Sequence, residues 1–512
     1  MATNKAIAVS LLSGVLMGLA PAPLNAWYFA WIAFFPLWFV VRQAKSLRIT
    51  IILALSWGFG YYGLALFWIT GVHPLTWMGV PWLPSLLIAL GCWLFITLWG
   101  TSVAVSWSIL FSLISRRIPQ KYIYQTLTQV LIGVTLWCGL ETLWSLTPLW
   151  WPTLAYTQSP GNLTILQLGK LSGVTTINAL IIAVNGLLAE GLLRWQQDSK
   201  EKFILLAAPA IIFILGHATG YYLQQIPIAP DNLAPIKVGI IQGNIPNEIK
   251  LYSQGWRQAI AGYTFGYRRL ANQGVDVVLT PETALPFYWE DIINGSSFYQ
   301  AVIQEGVSAW VGANGRGENS YTNSLFTLTG EGETYSQYDK YKLVPLGEYI
   351  PLESILGGLI NRLSPLNARL APGKWNQIFD TPFGRAIVAI CYESAFPYHF
   401  QRQAREGGEF IITASNNAHY SATMPAQHHA HDVMRAIEND RWAARATNTG
   451  YSAIVDPHGK TEWISELNQY AIKAHTIYRR QNQTLYVRWG DWLLPTLILL
   501  SAISAFLNKS IV

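Results

Sequence analysis

The sequence predicts two kinds of domain, an α-helical membrane bundle and an α/β or α+β sandwich, and three observations carry that prediction. Mean hydropathy is +0.26, and with 23 Trp and 12% charged residues the chain is too apolar for an ordinary soluble protein. Its apolar residues lie in long uncharged runs, most of them in the first part of the chain and one at its end. Between these, Pro235–Arg488 has ordinary charge, many turn residues, and short apolar strands alternating with amphipathic helices.

The runs are Ala6–Ala20, Trp27–Val41, Thr50–Thr70, Leu86–Leu113, Leu127–Leu146, Val174–Leu193, Phe203–Leu223 and Trp489–Leu507. Most approach or exceed the roughly 20 residues a helix needs to cross a bilayer, and the first two are short. The expected division is residues 1–228 as a helical domain of about seven spans, 229–486 as a polar domain and 487–512 as a closing span. Lys5, the short run after it and the Pro21–Ala26 segment fit a retained first span or a cleaved signal peptide.

Loop charge sets the orientation. Arg42, Lys45 and Arg48, then Arg116, Arg117 and Lys121, then Arg194, Lys200 and Lys202 mark three cytoplasmic loops. The alternate loops, His73–Pro84 and Thr147–Leu163, carry Trp and no Lys or Arg. Parity then puts the polar domain on the extracytoplasmic side, with or without the first span. The net charge of +6 is partly explained by these loops. No basic stripe interleaved with aromatics argues for nucleic acid.

In the polar domain the pattern predicts strands at Lys237–Asn244, Val275–Glu282, Trp310–Gly315, Ser324–Thr329, Thr334–Tyr338, Ala386–Ile390, Glu409–Ser415, Ala443–Val455 and Thr461–Ser465. Helices are expected at Trp256–Asn272 and from about Gln427 to Asp440. Three residues stand at strand ends: Glu282, Lys340 and Cys391. Of the three cysteines, Cys92 and Cys138 fall in apolar runs, so Cys391 is the one thiol of the polar domain. A nucleophilic cysteine needs a base to take its proton and a cation to favour thiolate, and Glu and Lys can supply these. A lysine can also neutralise the oxyanion of a tetrahedral intermediate. Read from its own strand alone, Cys391 fits a buried core residue equally well.

The flanking motifs sharpen the choice. They are Gln242-Gly-Asn-Ile-Pro246, Pro281-Glu-Thr-Ala-Leu-Pro286, Leu343-Val-Pro-Leu-Gly-Glu-Tyr-Ile-Pro-Leu-Glu353, Cys391-Tyr-Glu393, Met434-Arg-Ala-Ile-Glu-Asn439 and Arg445-Ala-Thr-Asn-Thr-Gly450. With these the chain resembles the nitrilase superfamily, and within it the bacterial apolipoprotein N-acyltransferases, over nearly its whole length. The resemblance implies an α-helical membrane bundle plus an α/β nitrilase-like four-layer (αββα) sandwich, in the cytoplasmic membrane with the sandwich outside. It implies Glu282 as general base, Lys340 as oxyanion-stabilising cation and Cys391 as the nucleophile that carries an acyl thioester. Glu348 would support the lysine or the base, and Tyr392 and Glu393 would shape the site. Spacing leaves Lys342 open as the cation; the resemblance selects Lys340. The implied donor is a membrane phospholipid and the implied acceptor the α-amino group of a diacylglyceryl-cysteine in an apolipoprotein, with no cofactor. The other readings are a membrane-tethered amidase acting on a small amide, and an idle lipoprotein-binding module.

The chain departs from the family pattern at Leu251, where many members have Trp, at His419 in Ser415-Asn-Asn-Ala-His-Tyr420, and at Glu141-Thr-Leu-Trp144, which lacks an arginine. Glu141 lies within an apolar run and reads as a functional carboxylate or as a membrane-edge residue. His217 reads as a helix-end residue. Of His428, His429 and His431, the first and last can share a helix face, but no third ligand at metal-site spacing joins them, so all three read as helix residues and no metal is expected. Gly347–Pro372, apolar and proline-bearing, reads as an arm that dips into the membrane to admit acyl chains.

Overall fold

The structure, a computed structural model, describes residues 3–119, 122–196, 202–228, 233–317, 320–345, 347–349, 370–418 and 420–510. The chain forms two compact units. One comprises Met1–Thr70, Leu86–Pro227 and Arg488–Val512, the other Gly71–Ser85 and Ile228–Val487.

The first unit is helical, because in lipid a helix satisfies its own backbone polar groups. Among the described residues, five helices are long and apolar enough to cross a membrane: Leu47–Ala65, Trp82–Ser115, Ile123–Ser145, Val174–Trp195 and Phe203–Gln224. Two further runs form the shorter apolar helices Thr3–Gly18 and Leu493–Asn508. The run Trp27–Val41, expected as one span, is instead broken into a 3₁₀ turn at Trp27–Phe29 and helices at Ala30–Ala33 and Phe35–Gln43. Pro36 stands in the first turn of the last of these, where its missing N–H is no loss. Asn185 Oδ1 accepts from the Phe34 and Phe35 N–H groups at 3.0 and 2.7 Å, so the freed backbone is satisfied inside the bundle.

Buried polar side chains brace this unit. The Arg42 guanidinium pairs with Glu190 at 2.8 Å, and Trp38 Nε1 donates to the same carboxylate at 2.9 Å. Glu141 accepts from Thr153 Oγ1 at 2.6 Å, Asn178 Nδ2 at 2.5 Å and the Leu154 N–H at 3.1 Å. It therefore fastens the short helix Leu154–Thr157 to the helix Ile123–Ser145. His217 lies in the helix Lys202–Gln224 and bonds to Asn162 and to the Phe213 carbonyl.

The second unit holds two six-stranded sheets. In chain order the strands are β1 Ile236–Gln242, β2 Val277–Leu279, β3 Ser308–Arg316, β4 Tyr321–Leu328, β5 Thr334–Asp339, β6 Phe379–Thr381, β7 Gly384–Ile390, β8 Phe410–Ser415, β9 Ala443–Thr447, β10 Ala453–Val455, β11 Thr461–Ile464 and β12 Ala471–Ile477. One sheet runs β12-β1-β2-β3-β4-β5 and the other β11-β10-β9-β8-β7-β6. The central pairs β1–β2, β2–β3, β7–β8 and β8–β9 are parallel.

Period-two alternation explains the layers. Val238, Ile240, Val277 and Leu279 pack against Val388, Ile390, Phe410 and Ile412 of the other sheet. Ile241, Val278 and Val311 face the other way, towards Tyr263, Tyr267 and Leu270 of the helix Ser253–Ala271. The helices Pro397–Arg405 and Thr423–Asn439 pack on β7 and β10. The result is the four-layer αββα sandwich. Each fully buried Val, Ile or Leu contributes about 1.5–3 kcal/mol of apolar burial, so the doubly covered central strands form its stable part.

Two strand expectations are corrected. Ala443–Val455 is two antiparallel strands, β9 and β10, rather than one. The chain turns between them where Gly450 lies against Asn417, and a Cβ there would sit 2.3 Å from Asn417 Oδ1. The edge strands β6 and β12 have no counterpart in the sequence reading, β6 because it is only three residues long and β12 because its sequence Ala-Ile-Lys-Ala-His-Thr-Ile alternates weakly.

Candidate active site

The site is built at the ends of β2, β5 and β7. After β2 the chain passes through Thr280 and Pro281 to Glu282, and Thr283 adopts a left-handed φ of +46°. That turn lies tight on β3: a Cβ on Gly312 would sit 2.0 Å from the Pro281 carbonyl oxygen. Glycine is thus required there for Glu282 to be where it is.

Lys340 follows β5 and is 1% exposed. Its ammonium donates to Glu282 Oε1 and to Glu348 Oε1, both at 2.8 Å. Asn323 Nδ2, from β4, donates to Glu282 Oε1 at 2.7 Å and to Glu348 Oε1 at 3.3 Å. Glu348 Oε2 accepts from the Val344 N–H at 2.7 Å. Burial alone would raise the Glu282 carboxyl, but the Lys340 charge and hydrogen bond, with Lys250 and Asn323, outweigh it and hold Glu282 below the usual carboxylate range. Burial and the neighbouring Glu282 push the Glu348 carboxyl up, against the pull of Lys340. Lys340 itself is held well above the ordinary lysine value, because its two carboxylate partners overcome desolvation.

Cys391 directly follows β7 and opens the 3₁₀ turn Cys391–Ala395 with a left-handed φ of +54°, and its Sγ lies 3.9 Å from the Asn416 carbonyl oxygen. A positive φ at a non-glycine residue carries strain, and such strain concentrates at functional sites. Burial, then the adjacent Glu282 charge, push the thiol up to about 12, with Lys340 acting in the opposite sense. Thiol and carboxylate therefore compete for one proton, so transfer of that proton to Glu282 removes the charge that disfavours thiolate.

The strained cysteine is held from two sides. Glu393, fully buried, accepts from the Ile390 N–H at 2.7 Å and Tyr338 Oη at 2.9 Å, and from the Tyr341 and Lys342 N–H groups at 2.6 and 3.1 Å. It ties the Lys340 segment to the end of β7. His428 Nε2 lies 2.8 Å from the Cys391 carbonyl oxygen and its Nδ1 lies 3.1 Å from Asn417 Nδ2. A neutral ring with its proton on Nε2 satisfies both contacts.

Lys342 points away from the carboxylates, its ammonium 4.9 Å from the centre of the Phe396 ring, so Lys340 alone of the two lysines meets Glu282. Tyr392 packs edge-on against Phe396 at 5.1 Å. Leu251 is 38% exposed. His429 Nε2 lies 3.0 Å from Thr461 Oγ1, and the His428 and His431 rings are 6.4 Å apart. No group of three metal-binding side chains occurs among the described residues. His419, and residues 350–369 of the expected arm, lie outside the described residues.

Sequence reasoning passed over Lys250, Asn323 and the contact of His428 with the Cys391 carbonyl. Asn323 carried no signal: it lies just before the strand expected from Ser324, and only the structure places it within β4. Lys250 could have been noticed, because it ends the short helix Asn247–Lys250 that directly follows the Gln242–Pro246 motif.

Residues 237–477 match the carbon-nitrogen hydrolase family model. Residues 13–187 match the model for the apolipoprotein N-acyltransferase N-terminal domain. The chain is similar to an apolipoprotein N-acyltransferase of Nostoc sp., 54% identical over 96% of this chain and 97% of that protein. It is 50% identical to one of Synechocystis sp. over 95% of this chain and 98% of that protein. A solved amidase from Nesterenkonia sp. AN1 aligns with 53% of this chain and 99% of its own at 16% identity, with a TM-score of 0.37.

Proposed function

Because the chain belongs to the apolipoprotein N-acyltransferase family, we propose that its acyl transfer runs through Glu282, Lys340 and Cys391, with a membrane phospholipid as acyl donor. It is a multi-pass membrane acyltransferase. In the first half-reaction Glu282 takes the Cys391 proton and sulfur attacks the ester carbonyl of the phospholipid. The oxyanion so formed is neutralised by the Lys340 ammonium. Collapse breaks the C–O bond, Glu282 returns the proton to the leaving oxygen, and a lysophospholipid departs from a Cys391 thioester.

In the second half-reaction the free α-amino group of a diacylglyceryl-cysteine attacks the thioester. Glu282 accepts a proton from that nitrogen, the C–S bond breaks, and the proton returns to Cys391. The product is an N-acylated lipoprotein. On this reading the sandwich lies on the extracytoplasmic side of the cytoplasmic membrane, a placement that the loop charges support. Glu348 holds the far side of the lysine, and Tyr392 and Glu393 frame the nucleophile.

The observation that carries the reading is the convergence of three strand ends on one buried cluster, with Lys340 Nζ 2.8 Å from Glu282 Oε1 and both charges acting on the Cys391 thiol. Mass spectrometry of the purified protein after incubation with phospholipid micelles tests it. A fatty-acyl adduct on Cys391, with matching lysophospholipid, is expected, and Cys391→Ala should give neither. A wild-type protein that forms no adduct would overturn the reading.

A further inference from the structure

Beside the Lys340 cluster stands a second buried lysine that the mechanism above does not use. Lys250 ends the short helix Asn247–Lys250 and is 5% exposed. Its backbone is fixed: the Lys250 N–H donates to the Pro246 carbonyl at 3.0 Å. The neighbouring Ile245 is clamped by the Asn448 side chain at 2.9 and 2.7 Å. Its ammonium donates to the Glu282 backbone carbonyl at 3.2 Å. Among the described residues it forms no ion pair, in contrast to Lys340 with its two carboxylates.

A buried ammonium with one carbonyl partner is costly unless nearby charge compensates it. The charges that face Lys250 are Glu282 at the end of β2, Lys340 at the end of β5 and the Cys391 thiol at the end of β7. Glu348 lies one step further, across Lys340, and the buried Tyr420 phenol also senses this cluster. Lys340 by itself cannot balance two carboxylates. With Lys250 the count becomes two cations against two anions, and Glu282 and Glu348 can be ionised together. The site then keeps Glu282 as a vacant proton acceptor rather than sharing a trapped proton between the carboxylates.

We infer that Lys250 is a positioning residue of the acyl-transfer site: it pins the Glu282–Thr283 turn through the Glu282 carbonyl, and its charge keeps Glu282 ionised and ready to accept the Cys391 proton. The inference rests on the reading of Glu282 and Cys391 given above. The hydrogen bond falls at the residue before the left-handed Thr283, where the turn is least able to hold itself. Desolvation draws the Lys250 ammonium down to about 8, against the pull of Glu282, so its charge is more labile than that of Lys340.

Two variants separate charge from hydrogen bond. Lys250→Gln keeps an N–H donor without the charge, and Lys250→Met removes both. The rate of Cys391 thioester formation from phospholipid is followed across a pH series on full-length protein whose thermal unfolding confirms the folded state. Lys250→Gln is expected to slow the step by about tenfold and Lys250→Met, which also frees the turn, by more; both should move its acidic limb to higher pH by about half a unit or more, because a carboxylate that loses a neighbouring cation holds its proton more tightly. A Gln variant with the wild-type rate and limb would overturn the inference. So would slowing with an unmoved limb, which is the signature of a lysine that only supports the fold. Absence of thioester in the wild type would instead overturn the nucleophile reading, so the two failures are distinguishable.

Discussion

Glu141 and Glu282 are both buried carboxylates, the first in the helical unit and the second in the sandwich, and they are buried by opposite means. Glu141 is met by neutral donors only: a hydroxyl, a side-chain amide and a backbone N–H. Glu282 is met by the Lys340 ammonium and by Asn323, with Glu348 and Lys250 close by. Neutral donors that converge on a carboxylate fix the chain segments they come from. Charged partners fix where a proton resides. The first arrangement builds a fold, and the second leaves a proton to be moved.

The largest effect should come from Lys340→Met. It strands two carboxylates in the sandwich, and leaving buried charge uncompensated costs about 3–5 kcal/mol. Thermal unfolding and thioester formation should both show the loss, and a variant with normal stability would refute the charge-balanced account of the site.

Acid should act on the sandwich next. His399 and His429 are lowered to about 3 and about 4, and His428 and His431 lie well below the ordinary value, in each case chiefly because burial disfavours the charged ring. Unfolded histidine titrates near ~6.5. The stability these rings contribute is therefore present above that pH and is lost as pH falls towards their folded values. Each contributes about 1.4 kcal/mol per pH unit in that window. Unfolding temperatures measured from pH 7 down to 4 should fall steeply, and a flat profile would contradict neutral burial.

Glu141→Leu removes an acceptor from three donors, each costing about 1–3 kcal/mol if left unpaired. The unfolding midpoint should drop while the thioester step of the folded protein stays within about twofold of wild type. A selective loss of the chemical step would mean that Glu141 resembles Glu282 after all. Smallest is Lys342→Ala, which forfeits a cation–π contact of about 0.5–1 kcal/mol and should leave thioester formation intact. A collapse of that step would revive Lys342 as the site cation.

Much of this was legible without coordinates. Long uncharged runs mark helices because lipid offers no partner for an open backbone, and short alternating runs mark strands because their side chains point to opposite faces. The break at Trp27–Val41 escaped because Asn185, some 150 residues away in sequence, accepts the freed N–H groups. The turn inside Ala443–Val455 depends on how closely Asn417 approaches Gly450, and no local pattern reports that distance.

By itself the sequence determined the two kinds of domain, and through its motifs the family and three chemically matched residues at strand ends. Spacing left Lys340 and Lys342 equal and the resemblance chose Lys340; only the tertiary structure showed where each ammonium ends, that of Lys340 on Glu282 and that of Lys342 over the Phe396 ring. It alone brought His428 to the Cys391 carbonyl and Lys250 to the Glu282 carbonyl. Those contacts join residues 37 and 32 positions apart, and electrostatic and hydrogen-bond energies depend on distance through space, which chain order does not record.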